Sequence, residues 1–106
     1  MRVSGTNLSM VRGDTESITV RCAQAPFESG DMVYFTVRED AESEIALQIT
    51  VTDFPTGEAV IPIAHDDTEG MDFGTYVYDI QVTRADGTVT TLVEKSKFTL
   101  REEVTY

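Results

Sequence analysis

Apolar and polar residues alternate along most of this 106-residue chain, and this period of two is the feature that most constrains its fold. Successive side chains of a β-strand point to opposite faces of a sheet, so the pattern indicates strands with one buried face. No window of eleven or more residues has the apolar spacing of an amphipathic helix. The sequence therefore predicts an all-β protein.

Turn residues divide the alternating pattern into about seven strands, which favours an antiparallel β-sandwich. The length allows a single domain over residues 1–106. Acidic residues at the start of Asp66–Met71 favour one short helical turn there. The predicted strands cover residues 6–11, 15–22, 31–39, 44–52, 58–63, 74–84 and 88–101.

Residues of one parity in each central strand are apolar and are predicted to face the core. These are Ile18, Val20 and Cys22; Val33, Phe35 and Val37; Ile45, Leu47, Ile49 and Val51; and Ala59, Ile61 and Ile63.

Asp72, Gly74 and Tyr76 have the D-x-G-x-Y spacing of a tyrosine corner. In that motif the tyrosine hydroxyl bonds to backbone a few residues upstream and fixes the connection between two sheets. Tyr78 stands where immunoglobulin domains usually have a cysteine. The motif predicts an immunoglobulin-like sandwich with a tyrosine corner, and it carries no chemistry.

Parity also predicts the turn of the last hairpin. The apolar residues Tyr76, Tyr78 and Ile80 have even numbers, as do Leu92 and Phe98 on the partner strand. A three-residue loop over residues 85–87, with its glycine in the left-handed conformation, keeps these residues on one face. The prediction sets Ile80 opposite Leu92.

The chain has 19 acidic and 8 basic residues and a net charge of −11, which disfavours binding to nucleic-acid phosphates. We interpret the negative charge as keeping the protein soluble and preventing sheet edges of different molecules from pairing. Recognition of a basic partner is the alternative. No apolar run approaches the 18 residues that a membrane helix requires.

The single cysteine, Cys22, excludes an internal disulfide and favours a reducing compartment. Residues 1–7 lack the apolar segment of a signal peptide, so we expect a product made in the cytoplasm.

His65 and the acidic residues near it are the first candidates for a site. His65 precedes Asp66 and Asp67, which could suggest a metal or an acid–base pair. A lone imidazole beside loop carboxylates more often belongs to a capped turn. Asp66, Asp67, Glu69 and Asp72 also lack the ligand spacing of a calcium loop. We therefore predict no metal, no cofactor and no catalytic residue.

Three other candidates have plain structural explanations. Arg12-Gly13-Asp14 lies between two strands and reads as a turn. Cys22 has the apolar parity of its strand, which predicts a buried thiol. Tyr34 and Phe73, with Tyr76 and Tyr78, could line an aromatic ligand surface, but the core is the place expected for them.

Three segments resemble a small β-sandwich that recurs in phage and prophage virion proteins and is similar to the N-terminal domain of siphophage baseplate upper proteins. The likeness includes Phe98-Thr99-Leu100 and Glu103-Val104-Thr105. That family continues into a helical region linked to the receptor-binding protein, whereas this chain stops at Tyr106. The segments are residues 8–15, 31–38 and 74–81.

The resemblance implies a non-enzymatic phage or prophage structural protein of the tail, baseplate or head decoration. We expect it to be made in the host bacterial cytoplasm, to bind other virion subunits and to form a homo-oligomer when assembled. Lys97, Phe98, Leu100 and Arg101 are predicted to form an assembly edge, because they mix apolar and basic residues on a terminal strand.

Two other classes of function are weaker. An immunoglobulin-like binding domain of a bacterial surface or carbohydrate-active protein is the alternative. A small hydrolase or metal enzyme would need a second histidine or converging carboxylates.

Overall fold

The computed structural model describes residues 1–22 and 25–102, and this part of the chain is all-β with one short helix. All seven predicted strands are present within one or two residues of their expected bounds, and the first strand was not predicted. The predicted likeness at Glu103-Val104-Thr105 lies outside the described residues. The elements are β1 (Arg2–Ser4), β2 (Asn7–Val11), β3 (Glu16–Val20), β4 (Met32–Arg38), β5 (Ile45–Val51), β6 (Ala59–Ile63), α1 (His65–Glu69), β7 (Gly74–Thr83) and β8 (Val89–Arg101).

The described strands form two sheets. Six strands lie in the order β1-β2-β8-β7-β4-β5, and β3 and β6 form a separate pair. Strand β2 runs parallel to β8, whereas every other pair is antiparallel. The prediction of a purely antiparallel sandwich is therefore wrong for one pair, which the long intervening chain makes feasible.

The predicted inward faces of β4 and β6 are confirmed. Val33, Phe35 and Val37 are fully buried, and so are Ile61 and Ile63. These residues belong to one core cluster. Burying side chains of this size stabilises a fold by about 1.5–3 kcal/mol each, so the cluster is the main source of stability.

The predicted inward face of β5 is covered only in part. Leu47, Ile49 and Val51 are half-buried, and Ile45 is 45% exposed. The reason is the unequal width of the two sheets, since the described second sheet has two strands and cannot cover all six of the first.

The three-residue loop of the β7–β8 hairpin is confirmed. The Arg84 N–H donates to the Thr88 carbonyl at 2.8 Å, and Gly87 has a φ of 91°. The predicted pairing of Ile80 with Leu92 is wrong, because Ile80 lies opposite Val93. Two register shifts follow the loop, and each adds one residue to β8. Together they restore the parity that keeps the later apolar residues on the core face.

The predicted assembly edge at Lys97, Phe98, Leu100 and Arg101 is wrong. This half of β8 lies between β7 and β2, and Phe98 pairs with Leu8. Phe98 and Leu100 are 0% and 1% exposed, so they are core residues. Lys97 is exposed, and its N–H donates to the Asn7 side chain at 3.0 Å.

Candidate functional site

Helix α1 and the loop after it lead the chain into β7. The predicted helical turn is confirmed at His65–Glu69. Its first turn is closed by Asp67, whose carboxylate accepts the Ala64 N–H at 2.7 Å. Asp66 and Asp67 also lie at the end of the helix where negative charge is favourable.

Asp72, Gly74 and Tyr76 meet at the start of β7. The Tyr76 hydroxyl donates to the Asp72 carbonyl at 2.8 Å, and the ring is 6% exposed. Burial raises the pKa of Tyr76, and the charges of Asp72 and Glu39 raise it further, so the hydroxyl keeps its proton at neutral pH. Gly74 has a φ of 140°, which disfavours any residue with a Cβ.

A second tyrosine bond ties β7 to the N-terminal turn. The Tyr78 hydroxyl donates to the Thr6 carbonyl. Burial raises the pKa of Tyr78, which keeps it a donor. Its ring contacts Phe35 and Phe98 with centroid distances of 5.4 and 6.4 Å. Both tyrosines therefore act in the structure of the core.

His65 binds the turn between β2 and β3. Its Nδ1 lies 2.5 Å from the Gly13 carbonyl, and its Nε2 lies 3.3 Å from the Glu69 carboxylate. The Gly13 N–H donates to the buried Thr68 hydroxyl at 2.9 Å. The predicted turn at residues 12–14 is thus packed against α1, and the histidine holds it there.

Arg12 and Phe73 form a second contact across this turn. The guanidinium lies 4.0 Å from the centre of the Phe73 ring and donates to the Met71 carbonyl at 3.2 Å. Phe73, expected in the core, is instead a 45% exposed loop residue whose ring stacks against a cation.

An ion pair between buried Asp31 and half-buried Arg84, at the opposite end of β7, was missed from the sequence. The Asp31 carboxylate accepts from Arg84 at 2.9 Å, from the Glu28 N–H at 2.9 Å and from the Ala85 N–H at 3.0 Å. The Glu28 bond is the main reason that the pKa of Asp31 lies below its ordinary value, with Arg84 and Ala85 adding to it against the effect of burial.

Arg84 also closes the loop before β4. Its guanidinium donates to the Pro26 carbonyl at 3.2 Å and to the Ala25 carbonyl at 3.1 Å. It lies 3.5 Å from the Cys22 sulfur and 5.1 Å from the centre of the Phe27 ring. The Asp31–Arg84 pair is thus a structural clasp between three segments of the chain.

The alternation of inward and outward residues could have predicted the Asp31–Arg84 pair. Asp31 shares the inward parity of Val33 and Phe35, and Arg84 shares that of Val82. The register pairs Met32 with Thr83, so the next residues outward, Asp31 and Arg84, face each other. Opposite charges at inward positions of two strand ends indicate a buried ion pair.

Cys22 is half-buried rather than fully buried as predicted. It lines an open groove of about 680 Å³ between β3, the first half of β8 and the N-terminal residues Met1, Val3, Gly5 and Thr6. Ile18, Val20, Leu92 and Val93 form the apolar walls, which makes this groove a candidate for a binding surface beside the partly exposed face of β5.

The outer face of the large sheet is polar. Tyr34, Thr36 and Arg38 of β4 lie beside Asp79 and Gln81 of β7. Tyr34 is half-buried there, so its expected place in the core is wrong: it has the opposite parity to Val33 and Phe35 and faces outward.

Within 1–22 and 25–102, no group of three or more His, Cys, Asp or Glu residues could hold a metal ion. No helix in this part of the chain is long and apolar enough to cross a membrane.

Comparison with protein-family models, with curated proteins and with solved structures found no match to this chain.

Proposed function

We propose that this chain is an immunoglobulin-like sandwich with a tyrosine corner at Asp72, Gly74 and Tyr76. The order β8-β7-β4-β5 supports this proposal, because it corresponds to the G-F-C-C′ sheet of variable-type domains. The separate β3–β6 pair corresponds to strands B and E. The bond from the Tyr76 hydroxyl to the Asp72 carbonyl is the one that the motif requires.

The proposed function is that of a non-enzymatic structural protein of a phage or prophage virion, in the tail, baseplate or head decoration. It is made in the host bacterial cytoplasm, binds other virion subunits and forms a homo-oligomer in the assembled state. The sequence resemblance to virion β-sandwiches supports the class, and the surface of the described residues supports the mode of action.

The half-covered apolar face of β5 is the observation that carries this proposal. Ile45, Leu47, Ile49 and Val51 line the inner side of an end strand, and the second sheet leaves them partly exposed. An end strand with a partly open apolar face suits a protein partner, because the partner can cover the face and extend the sheet.

Fractionation of a culture of the encoding strain tests the proposal. Prophage is induced, and particles, cell wall and soluble cell contents are separated on a density gradient. Quantitative mass spectrometry then locates the chain, with a tail protein and a cytosolic enzyme as reference markers. We expect the chain to sediment with the tail protein.

Two outcomes would contradict the proposal. A chain confined to the cell-wall fraction would support the alternative, a surface-binding immunoglobulin-like domain. A chain that stays with the cytosolic enzyme, with particles free of it, would remove the virion function altogether.

A further inference from the structure

Two unpaired strand edges border the groove beside Cys22. Within the described part of the chain, β3 pairs with β6 on one side only. Strand β8 pairs with β2 only over Phe98–Arg101, so on that side its first half, residues 89–95, has no neighbouring strand among the described residues. The backbone N–H and C=O groups of such edges bind an added strand readily.

The walls between these edges are apolar. Ile18 and Val20 come from β3, Leu92 and Val93 come from β8, and Ile80 contributes from β7. Each of them belongs to the core or packs against it. Met1 and Val3 of the N-terminal segment also line the groove, and the Met1 ammonium binds the Glu16 carboxylate at the start of β3 at 2.8 Å. The wall formed by residues 17–22 is about 20 Å long at roughly 3.4 Å per residue, which suits an extended segment of six residues.

The second sheet protects one of its edges and leaves the other open. Pro62 of β6 pairs with Ser17 of β3. A proline lacks the N–H for a ladder bond, so its nitrogen belongs on the outer side of β6, where it blocks strand addition. In the same register Ser17 and Thr19 direct their own N–H groups away from β6 and toward the open edge. Strand β3 contains no proline.

We propose that the groove between β3 and β8 binds an extended segment of a partner protein, with apolar residues at alternate positions and basic residues between them. The open edge supplies backbone hydrogen bonds, and the apolar walls take every second side chain. The net charge of −11 attracts a basic segment over long range and repels a second copy of this chain, while the groove itself is lined by no acidic side chain and by one basic side chain, that of Arg21. That the partner is a virion subunit rests on the proposed function, whereas the binding of a strand does not.

A synthetic peptide tests strand binding to the full chain. The probe is acetyl-Lys-Val-Lys-Val-Thr-Val-Lys-amide with a fluorescent label. We expect saturable binding by fluorescence anisotropy at low salt and slower hydrogen exchange at the amides of Ser17 and Thr19. The same peptide with N-methyl groups at alternate residues should bind at least tenfold more weakly, because it cannot form a ladder. A version with Glu in place of Lys should also bind at least tenfold more weakly.

Protein variants give an independent test of the same edge. Thr19→Pro removes an N–H from the open edge of β3, and Thr19→Ala keeps it. We expect Thr19→Pro to lose at least tenfold in affinity and Thr19→Ala to bind as the parent chain does. Circular dichroism and melting curves establish that both variants fold. If Thr19→Pro fails to fold, the N-methylated peptide decides the question.

Several results would overturn the inference. The absence of binding at millimolar peptide would exclude the groove as a strand site, and equal binding of the N-methylated peptide would exclude a ladder. Protection confined to β5 would assign the segment to the other sheet. Sedimentation equilibrium at the same low salt that showed a dimer blocked by the peptide would make a second copy the occupant. Particle fractionation is unaffected by these results, so the two proposals fail separately.

Discussion

Replacing Asp31 with asparagine should lower the free energy of unfolding by about 2 kcal/mol, the cost expected for losing hydrogen bonds to a charged group beside a partly exposed guanidinium. The carboxylate is 5% exposed and accepts three hydrogen bonds, one of them from the Arg84 guanidinium. An asparagine amide has one acceptor oxygen, so its NH₂ group would face at least one of these donors. The guanidinium, which is 21% exposed, would also lose its counter-charge.

Urea unfolding followed by far-ultraviolet circular dichroism measures this loss. With a slope of about 1.5 kcal/mol per molar urea, the midpoint should fall by about 1.3 M. Asp40→Asn is the matched control, because Asp40 also accepts a backbone N–H, from Glu42, but lies in an exposed loop. The control should change the midpoint little.

The pH dependence of the free energy of unfolding tests the same ion pair, because the lowered pKa of Asp31 fixes the direction of the change. The pKa of Asp31 is lowered in the folded protein, so between the folded and unfolded values the unfolded chain binds more protons. The stabilisation is complete above the unfolded pKa of about 3.9 and is lost as the pH falls through the lower folded value. The difference between parent and Asp31→Asn should therefore be constant from pH 5 to 7 and shrink below about pH 4. A midpoint shift under about 0.5 M at pH 7, or a difference that grows in acid, would refute the clasp.

Three further predictions concern the start of β7 and the segment before it. Tyr76→Phe should lower the free energy of unfolding by about 1–2 kcal/mol in urea, because the Asp72 carbonyl loses its donor. Tyr34→Phe is the control and should change nothing, because the Tyr34 hydroxyl only approaches a thioether on the surface. Equal urea midpoints for the two variants would contradict the tyrosine corner. Gly74→Ala should lower the free energy of unfolding by about 1–2 kcal/mol, because alanine is strained at a φ of 140°. Gly70→Ala, at a φ of −86°, should leave it unchanged. Equal effects of the two substitutions would contradict the strain at Gly74. Calcium or zinc at submillimolar concentration should leave the melting temperature unchanged, since a metal at 100 times its dissociation constant would add about 2.7 kcal/mol and raise it by several degrees.

Alternation predicted the parts of the fold that local sequence controls. The faces of β4 and β6 followed from parity, and the loop over residues 85–87 followed from keeping Tyr76, Ile80 and Phe98 on one face. The pairing of Ile80 failed, because extra residues in β8 change the register without changing the final parity.

The sequence pattern could not predict which strands that are distant in the chain lie side by side in the sheet. Parity assigns faces to β8 but does not reveal that β2 covers its last residues, so Phe98 was taken for an edge residue when it is core. Strand β1, with three residues, is too short to show a period. The groove arises from what β2 leaves uncovered, and therefore requires the topology before it can be seen.

The number of copies per particle tests the central claim most directly, because a structural virion subunit is present in a fixed number. Particles from an induced culture of the encoding strain are washed in high salt and quantified with isotope-labelled peptides of this chain and of a tail protein. The account predicts a constant ratio corresponding to several copies per particle, unchanged by the wash and by the preparation. A ratio far below one copy per particle, or one that varies between preparations and falls with the wash, would contradict it.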